Sequence, residues 1–113
     1  MTKDIAIKKI NKELGLKLNN LNTNWSNINR NGIWSMEPNL ERKEKKLFLL
    51  LNNNISKKLH VFEIPANNVI YEKLYVRNDR SVFRLLFNVD DHNFIETLKH
   101  INFNKFHKAS INY

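Results

Sequence analysis

The chain has 113 residues, 42% of them hydrophobic, and a formal net charge of +8 at pH 7 from 19 Lys and Arg against 11 Asp and Glu. This size suits one domain with a single core, residues 1–113. The absence of cysteine excludes disulfides, thiol catalysis and cysteine-ligated metals. No apolar run approaches the roughly 20 residues that cross a bilayer and no signal-peptide pattern is present, so we expect a cytoplasmic protein without a membrane partner.

The first part of the chain, residues 1–31, is predicted to be helical. Ile7 and Ile10 recur at helical spacing between Asp4, a good N-cap residue, and Gly15, a good C-cap residue. Apolar residues keep helical spacing beyond Gly15, but many asparagines intervene and compete for backbone hydrogen bonds. We therefore expect a short, frayed second helix or an ordered loop pinned by Trp25.

From residue 32 to residue 113 the pattern favours an antiparallel meander of about five strands followed by a helix. The run 47–51 is apolar without interruption, which is typical of a central strand buried on both faces. Asparagine and lysine residues between 52 and 58 predict a hairpin turn. The remaining strands are predicted from β-branched and aromatic residues at 33–36, 59–64, 69–76 and 82–89.

The C-terminal region is predicted to contain an amphipathic helix. Asp90 and Asp91 are natural helix starts, and Phe94, Leu98 and Ile101 follow at helical spacing. The segment 103–113 is expected to add a final strand. The fold class is therefore α+β, with helices packed on an antiparallel sheet, and an apolar sheet face left uncovered would favour a homodimer.

The positive charge favours nucleic acid as the partner, because Lys and Arg release condensed counterions when they bind phosphates. An AT-rich coding sequence offers a compositional explanation instead, since Lys, Asn and Ile are abundant and Gly and Pro are scarce. A meander would bring the turns 52–58 and 77–81 to one end of the sheet. The candidate phosphate-binding residues there are Lys57, Lys58, Arg77 and Arg80, and those at the other end are Lys43, Lys45 and Lys46, next to Arg42.

Aromatic residues add a second binding feature. Tyr71 and Tyr75 share one face of a predicted strand, where they would stack on bases together with Trp34 if that face is open. A role in the core is the alternative for all three. The aromatic and glycine signature of RNA-recognition sheets is absent, so this feature gives no reason to prefer RNA. We expect DNA as the nucleic acid, by a small margin over RNA.

We favour a binding protein over an enzyme, and no cofactor or metal site is expected. The chain lacks a glycine-rich phosphate loop and a nucleophile elbow. Two alternatives to nucleic-acid binding remain. One is a protein-interaction module that acts as an inhibitor or accessory subunit of another protein. The other is a metal-independent ribonuclease toxin, with candidate residues His60, His107, Arg77 and Arg84.

Overall fold

A computed structural model describes residues 1–113, and in it the chain folds into three layers. One α-helix covers one face of a four-stranded sheet, and a five-stranded sheet covers the other face. The α+β class predicted from the sequence is confirmed. The helix is α1 (Lys3–Leu14), and the strands are β1 (Thr23–Asn27), β2 (Ile33–Met36), β3 (Leu47–Asn53), β4 (Lys58–Ile64), β5 (Tyr75–Arg77), β6 (Val82–Asn88), β7 (Ile95–Glu96), β8 (Ile101–Asn102) and β9 (His107–Asn112).

The helix α1 forms where the sequence predicts it. Thr2 is the N-cap in place of Asp4, and its hydroxyl accepts the Ile5 N–H at 3.3 Å. Gly15 ends the helix in the left-handed conformation, with φ 65°, which a residue without Cβ adopts at little cost. The buried face of α1 lies on the four-stranded sheet. No helix of the structure is long and apolar enough to span a bilayer.

Strand β3 is central in the four-stranded sheet, whose order is β1-β3-β4-β9. Its apolar run is divided between two cores, because successive strand side chains point to opposite faces. Leu47, Leu49 and Leu51 face the second sheet, and Phe48 and Leu50 face α1. The prediction of a central strand buried on both faces is confirmed.

The expected second helix in residues 16–31 is wrong. Residues 23–27 form β1, which pairs parallel to β3, with Trp25 opposite Leu50. The helical spacing was misleading because Leu18 is buried whereas Leu21 is 81% exposed. A parallel partner more than 20 residues away leaves no periodic signal in the segment itself.

The predicted strand at 69–76 is present only at its end. Val69–Lys73 form a 3₁₀ helix, which begins where the Asn68 side chain accepts the Ile70 N–H at 2.9 Å. Strand β5 then pairs antiparallel with β6. Two further 3₁₀ helices are Leu40–Glu44, which ends two residues before β3, and Asn104–Phe106, which leads directly into β9.

The predicted C-terminal helix is also wrong, because β7 and β8 form a short hairpin there. Phe94, just before β7, and His100, just before β8, have positive φ angles of 53° and 56°, which a right-handed helix cannot contain. Buried Glu96 accepts the backbone N–H groups of Leu86 and Lys99 at 2.9 and 2.8 Å, so its side chain stabilises the hairpin. The expected final strand is confirmed as β9, which pairs with β4.

The strands form two sheets instead of one meander, and this fixes which turns meet. We call the end that holds residues 28–32 and 54–57 the turn end, and the end that holds residues 37–46 and 78–81 the Glu37 end. At the Glu37 end, the Leu40 N–H bonds to the Ser81 carbonyl at 3.1 Å, just before β6 begins. At the turn end, the Val89 N–H bonds to the Gly32 carbonyl at 3.0 Å, just after β6 ends.

Candidate nucleic-acid interface

The cations expected to share one rim lie at opposite ends of the molecule. Lys57 and Lys58 lie at the turn end, between β3 and β4. Arg77 and Arg80 flank the β5–β6 turn at the Glu37 end. Strand β3 separates the two ends by seven residues, or about 23 Å at the usual rise of a strand. The expected juxtaposition of the two turns is therefore wrong.

The two arginines are also neutralised by acidic residues. Arg77 donates to Glu37 Oε2 at 2.7 Å and to Asp79 Oδ2 at 3.3 Å, and Arg80 Nη1 lies 3.4 Å from Glu37 Oε1. The hydrogen bond from Arg77 lowers the pKa of Glu37 below its usual value. The arginine turn therefore presents little uncompensated charge to an anion.

The lysines of the other predicted group lie at the Glu37 end, in and after the Leu40–Glu44 3₁₀ helix. Lys43 and Lys45 are exposed. Lys46 lies 3.4 Å from Glu63 Oε1, and Lys108 on β9 lies 3.4 Å from Glu63 Oε2. A single carboxylate thus joins the end of this lysine group to the edge strand β9.

The predicted aromatic platform is not formed. Tyr71 is buried in the core against Phe83, with ring centroids 5.4 Å apart, and burial raises its pKa to about 12. Trp34 is also buried and donates its indole N–H to the Asn52 carbonyl at 2.9 Å. Tyr75 is 43% exposed on β5, opposite Arg84 in the register. Two of these three aromatic side chains therefore stabilise the core and are not available for stacking.

Strand β9 instead brings together a different set of polar and basic residues. It is the outer strand of the four-stranded sheet, so one side of its backbone has no strand partner. At the turn end, Lys58 pairs with Asn112, and the Tyr113 N–H bonds to the Lys57 carbonyl at 2.9 Å. We call the following residues the basic edge: Lys57, Lys58, His60, Lys105, His107, Lys108 and Ser110.

The basic edge has few acidic residues near it in the sequence. Residues 97–113 contain three lysines and two histidines but no Asp or Glu. In the whole structure, ion pairs involve Lys9, Lys46, Arg77, Arg80 and Lys108 alone among the 19 Lys and Arg residues. Glu63 is the carboxylate in contact with the basic edge, and it is shared between two lysines. The edge therefore keeps an excess of positive charge.

Two histidines lie at the centre of the basic edge and share one serine hydroxyl. His60 Nδ1 lies 2.7 Å from Ser110 Oγ, and His107 Nε2 lies 2.8 Å from the same oxygen. The cross-strand pairing of β4 with β9 places His60 opposite Ser110, and a bulge in β9 turns His107 toward them. A serine hydroxyl has one proton, so it donates to one imidazole and accepts from the other.

Aromatic rings enclose these histidines and shift their protonation. The His60 ring lies 5.6 Å from Trp34 and 5.1 Å from Phe94, and the His107 ring stacks on Phe94 at 5.5 Å. Burial lowers the pKa of His60 to about 4, helped by the charges of His107, Lys58 and His92. Burial also lowers the pKa of His107. Both imidazoles are therefore neutral at pH 7, and the positive charge of the edge comes from its lysines.

The structure thus unites two residues of the ribonuclease hypothesis, His60 and His107, and separates them from the other two. Arg77 lies at the Glu37 end, and Arg84 lies on the outer face of β6, since its neighbours Phe83 and Leu85 face the core. The proximity of His60 and His107 depends on the pairing of strands about 45 residues apart, for which the sequence has no local signal. No group of three or more His, Cys, Asp or Glu residues is placed to hold a metal ion.

The fold and this edge define a small basic α+β protein with lysines on and beside its outer strand and a histidine pair at the centre of that edge. No protein-family model, curated protein or solved structure matches the chain at a significant level.

Proposed function

We propose that this chain binds nucleic acid along the basic edge, with DNA preferred over RNA. The observation that carries the proposal is the position of Lys57 and Lys58 beside the outer strand β9 and of Lys108 on that strand, next to a stretch of sequence without acidic residues. Lysine side chains at such an edge hold backbone phosphates as point charges and release counterions. A cytoplasmic location, as expected from the sequence, would bring the protein into contact with nucleic acid.

The dimensions of the edge fit a short stretch of backbone. Strand β9 has six residues and is about 20 Å long at the usual rise per residue. Phosphates along one strand of DNA are separated by about 3.4 Å of helix rise in a duplex and by more in an extended single strand. The lysines at both ends of β9 would therefore contact several phosphates at once, without reading the bases.

Binding is tested by fluorescence anisotropy with labelled single- and double-stranded oligonucleotides over a series of salt concentrations. If four lysines neutralise phosphates, the slope of log K against log salt for single strands is about −3, at about −0.7 per phosphate. Binding that is unchanged between about 50 and about 200 mM salt would contradict the proposal. Capture of a stoichiometric protein partner that survives nuclease treatment, together with no binding to oligonucleotides, would support a protein-interaction module instead.

A second candidate function, cleavage of RNA, is favoured by the histidine pair at the centre of the edge. Both imidazoles contact one hydroxyl, so their contacting nitrogens lie within about 5.5 Å of each other. A pair of imidazoles at this separation can act as base and acid on one phosphodiester. Neutral His60 would take the proton of the ribose 2′-hydroxyl, and protonated His107 would give a proton to the departing 5′-oxygen.

The reaction balances without a metal or cofactor. The 2′-oxygen attacks phosphorus, the bond from phosphorus to the 5′-oxygen breaks, and the products are a 2′,3′-cyclic phosphate and a 5′-hydroxyl. The lower pKa of His60, about 4, suits the base, and the lowered pKa of His107 requires acidic conditions for the acid. The rate is therefore expected to be highest between about pH 4 and the ordinary histidine pKa of 6.5.

Cleavage is measured with matched RNA and DNA oligonucleotides across this pH range. We expect cleavage of RNA alone, because DNA lacks the 2′-hydroxyl, and its loss in the His60→Asn and His107→Asn variants. His100→Asn is the matched control, because His100 is exposed and does not contact the shared hydroxyl of Ser110. Intact RNA after incubation at every pH, or equal loss in all three variants, would overturn this second candidate.

A further inference from the structure

The side chain of Arg42 lacks an acceptor within the protein. Its guanidinium is part of none of the ion pairs, and its Nη1 atom is shielded from water without a hydrogen-bond partner. Buried polar groups are nearly always hydrogen-bonded, so an orphaned guanidinium nitrogen requires an explanation. One explanation that the surroundings of Arg42 support is a bound anion whose oxygens accept hydrogen bonds from the guanidinium.

Arg42 lies at the wall of a cavity of about 700 Å³ at the Glu37 end. Lys45 and Lys46 also line the cavity, and Glu41 and Glu44 line it without forming an ion pair with Arg42. The side chains of Asn19 and Asn39 contribute amide groups. Asn19 accepts backbone N–H groups with its Oδ1, so its NH₂ remains free to donate. The wall therefore offers Arg42 and Lys45 without an ion-pair partner, Lys46 already paired with Glu63, and at least one free amide donor.

A fourth cation strengthens the positive potential beside this cavity. Lys3 donates to the Asn20 carbonyl at 3.3 Å, in the same loop that contributes Asn19. Burial lowers the pKa of Lys3, the nearby charge of Arg42 lowers it further, and Asp4 offsets part of the effect. Two like charges thus face each other without a carboxylate bonded to either.

We propose that this cavity binds an oxyanion of the phosphate class, held by the Arg42 guanidinium, the Lys45 ammonium group and the Asn19 amide. The guanidinium has no ion-pair partner, and a rotation of the side chain that brings its shielded Nη1 to the cavity would let it bind two oxygens at once, a geometry that lysine does not provide. Phosphate suits this donor set because it presents several acceptor oxygens to the guanidinium, ammonium and amide groups, although Glu41 and Glu44 offset part of the positive charge of the wall. The ligand is free phosphate or the terminal phosphate of an oligonucleotide, and the proposal does not depend on binding along the basic edge.

The first experiment is an NMR titration of isotope-labelled protein with inorganic phosphate, at ionic strength held constant with sodium chloride. We expect saturable shifts of amide signals in residues 19–22 and 39–46. Arg42→Gln should weaken the affinity by about tenfold, and Arg42→Lys should restore part of it, as expected for a bidentate contact. Arg30→Gln is the matched control, since it removes the same charge from an exposed position at the turn end.

Two further measurements complete the test. Thermal unfolding of each variant establishes that it is folded before its affinity is compared. Oligonucleotides with a 5′-phosphate or a 5′-hydroxyl distinguish the two sources of the anion, since stronger binding of the phosphorylated form that depends on Arg42 identifies a terminal phosphate. The absence of saturable shifts with phosphate, or equal weakening by Arg42→Gln and Arg30→Gln, would overturn the proposal, whatever the oligonucleotides show at the basic edge.

Discussion

Two pairs of cations with the same charge have different surroundings in the folded chain. Lys57 and Lys58 adjoin β9, where the sequence carries no acidic residue for 17 positions. Arg77 and Arg80 share Glu37 at 2.7 and 3.4 Å. The difference shows that the fold compensates the charge of one basic turn and leaves the other without a carboxylate partner, so we expect only the second to contribute to anion binding.

The largest effect on DNA affinity is expected from removing the charges of Lys57 and Lys58. The variant Lys57→Gln with Lys58→Gln should lose about tenfold in affinity for single-stranded DNA at low salt, and its salt slope should become shallower by about 1.4. Anisotropy titrations at several salt concentrations measure both quantities. An unchanged slope would show that these lysines do not contact phosphates.

A second expected effect concerns His60 and needs no nucleic acid. Its folded pKa of about 4 lies below the ordinary value of 6.5, so between these pH values the unfolded chain binds a proton that the folded chain does not. The free energy of unfolding should therefore fall by about 2 kcal/mol as pH drops through this window, after allowing for partial solvent access, with no further loss from His60 below it.

The variant His60→Gln isolates this contribution, because carboxylates titrate in the same range. Urea unfolding of the variant and the parent is compared at neutral pH and near pH 4, the pKa of His60. The parent should lose more stability than the variant. Parallel losses in both proteins would mean that His60 titrates normally in the folded chain.

A smaller effect is expected from removing the carboxylate that pairs with Arg77 and Arg80. Glu37→Gln removes the carboxylate shared by Arg77 and Arg80, so this end should gain net positive charge. We expect affinity for DNA to rise by no more than about threefold and stability to fall by about 1 kcal/mol. Anisotropy and urea unfolding of the same sample provide the two values. A drop in affinity would indicate that the Glu37 end has a binding role of its own.

The smallest effect is expected from Arg77→Gln with Arg80→Gln. These changes remove as much charge as the lysine double variant, so the two variants are matched in net charge. We expect affinity to change by less than about twofold, because the charge removed is already compensated by Glu37. Equal losses in the two double variants would mean that net charge alone, and not its position, governs binding.

Much of the sheet could be predicted because its signals are local. Five consecutive apolar residues from 47 to 51 can be buried only between two layers, and the structure supplies α1 on one side and the second sheet on the other. The β3–β4 hairpin and the Gly15 helix end depend on turn and cap residues near in sequence. These elements were predicted correctly.

The remaining elements depend on partners that are distant in sequence. Strand β1 is a strand because β3 pairs with it, and the β7–β8 hairpin depends on the carboxylate of Glu96 bonding to backbone groups that include Leu86. In both segments the apolar residues are spaced as they would be in an amphipathic helix, which led to the wrong prediction. The division into two sheets then placed Arg77 and Arg80 away from Lys57, which no turn signal could reveal. The lysines could be named from the sequence, but their neighbours could not.

The position of the nucleic acid on the protein is tested most directly by an NMR titration with a short single-stranded DNA at low salt. We predict that the largest shifts of backbone amide signals fall in residues 57–60 and 107–112, along β4 and β9. Shifts concentrated in residues 77–81, with the β9 signals unchanged, would contradict binding at the basic edge.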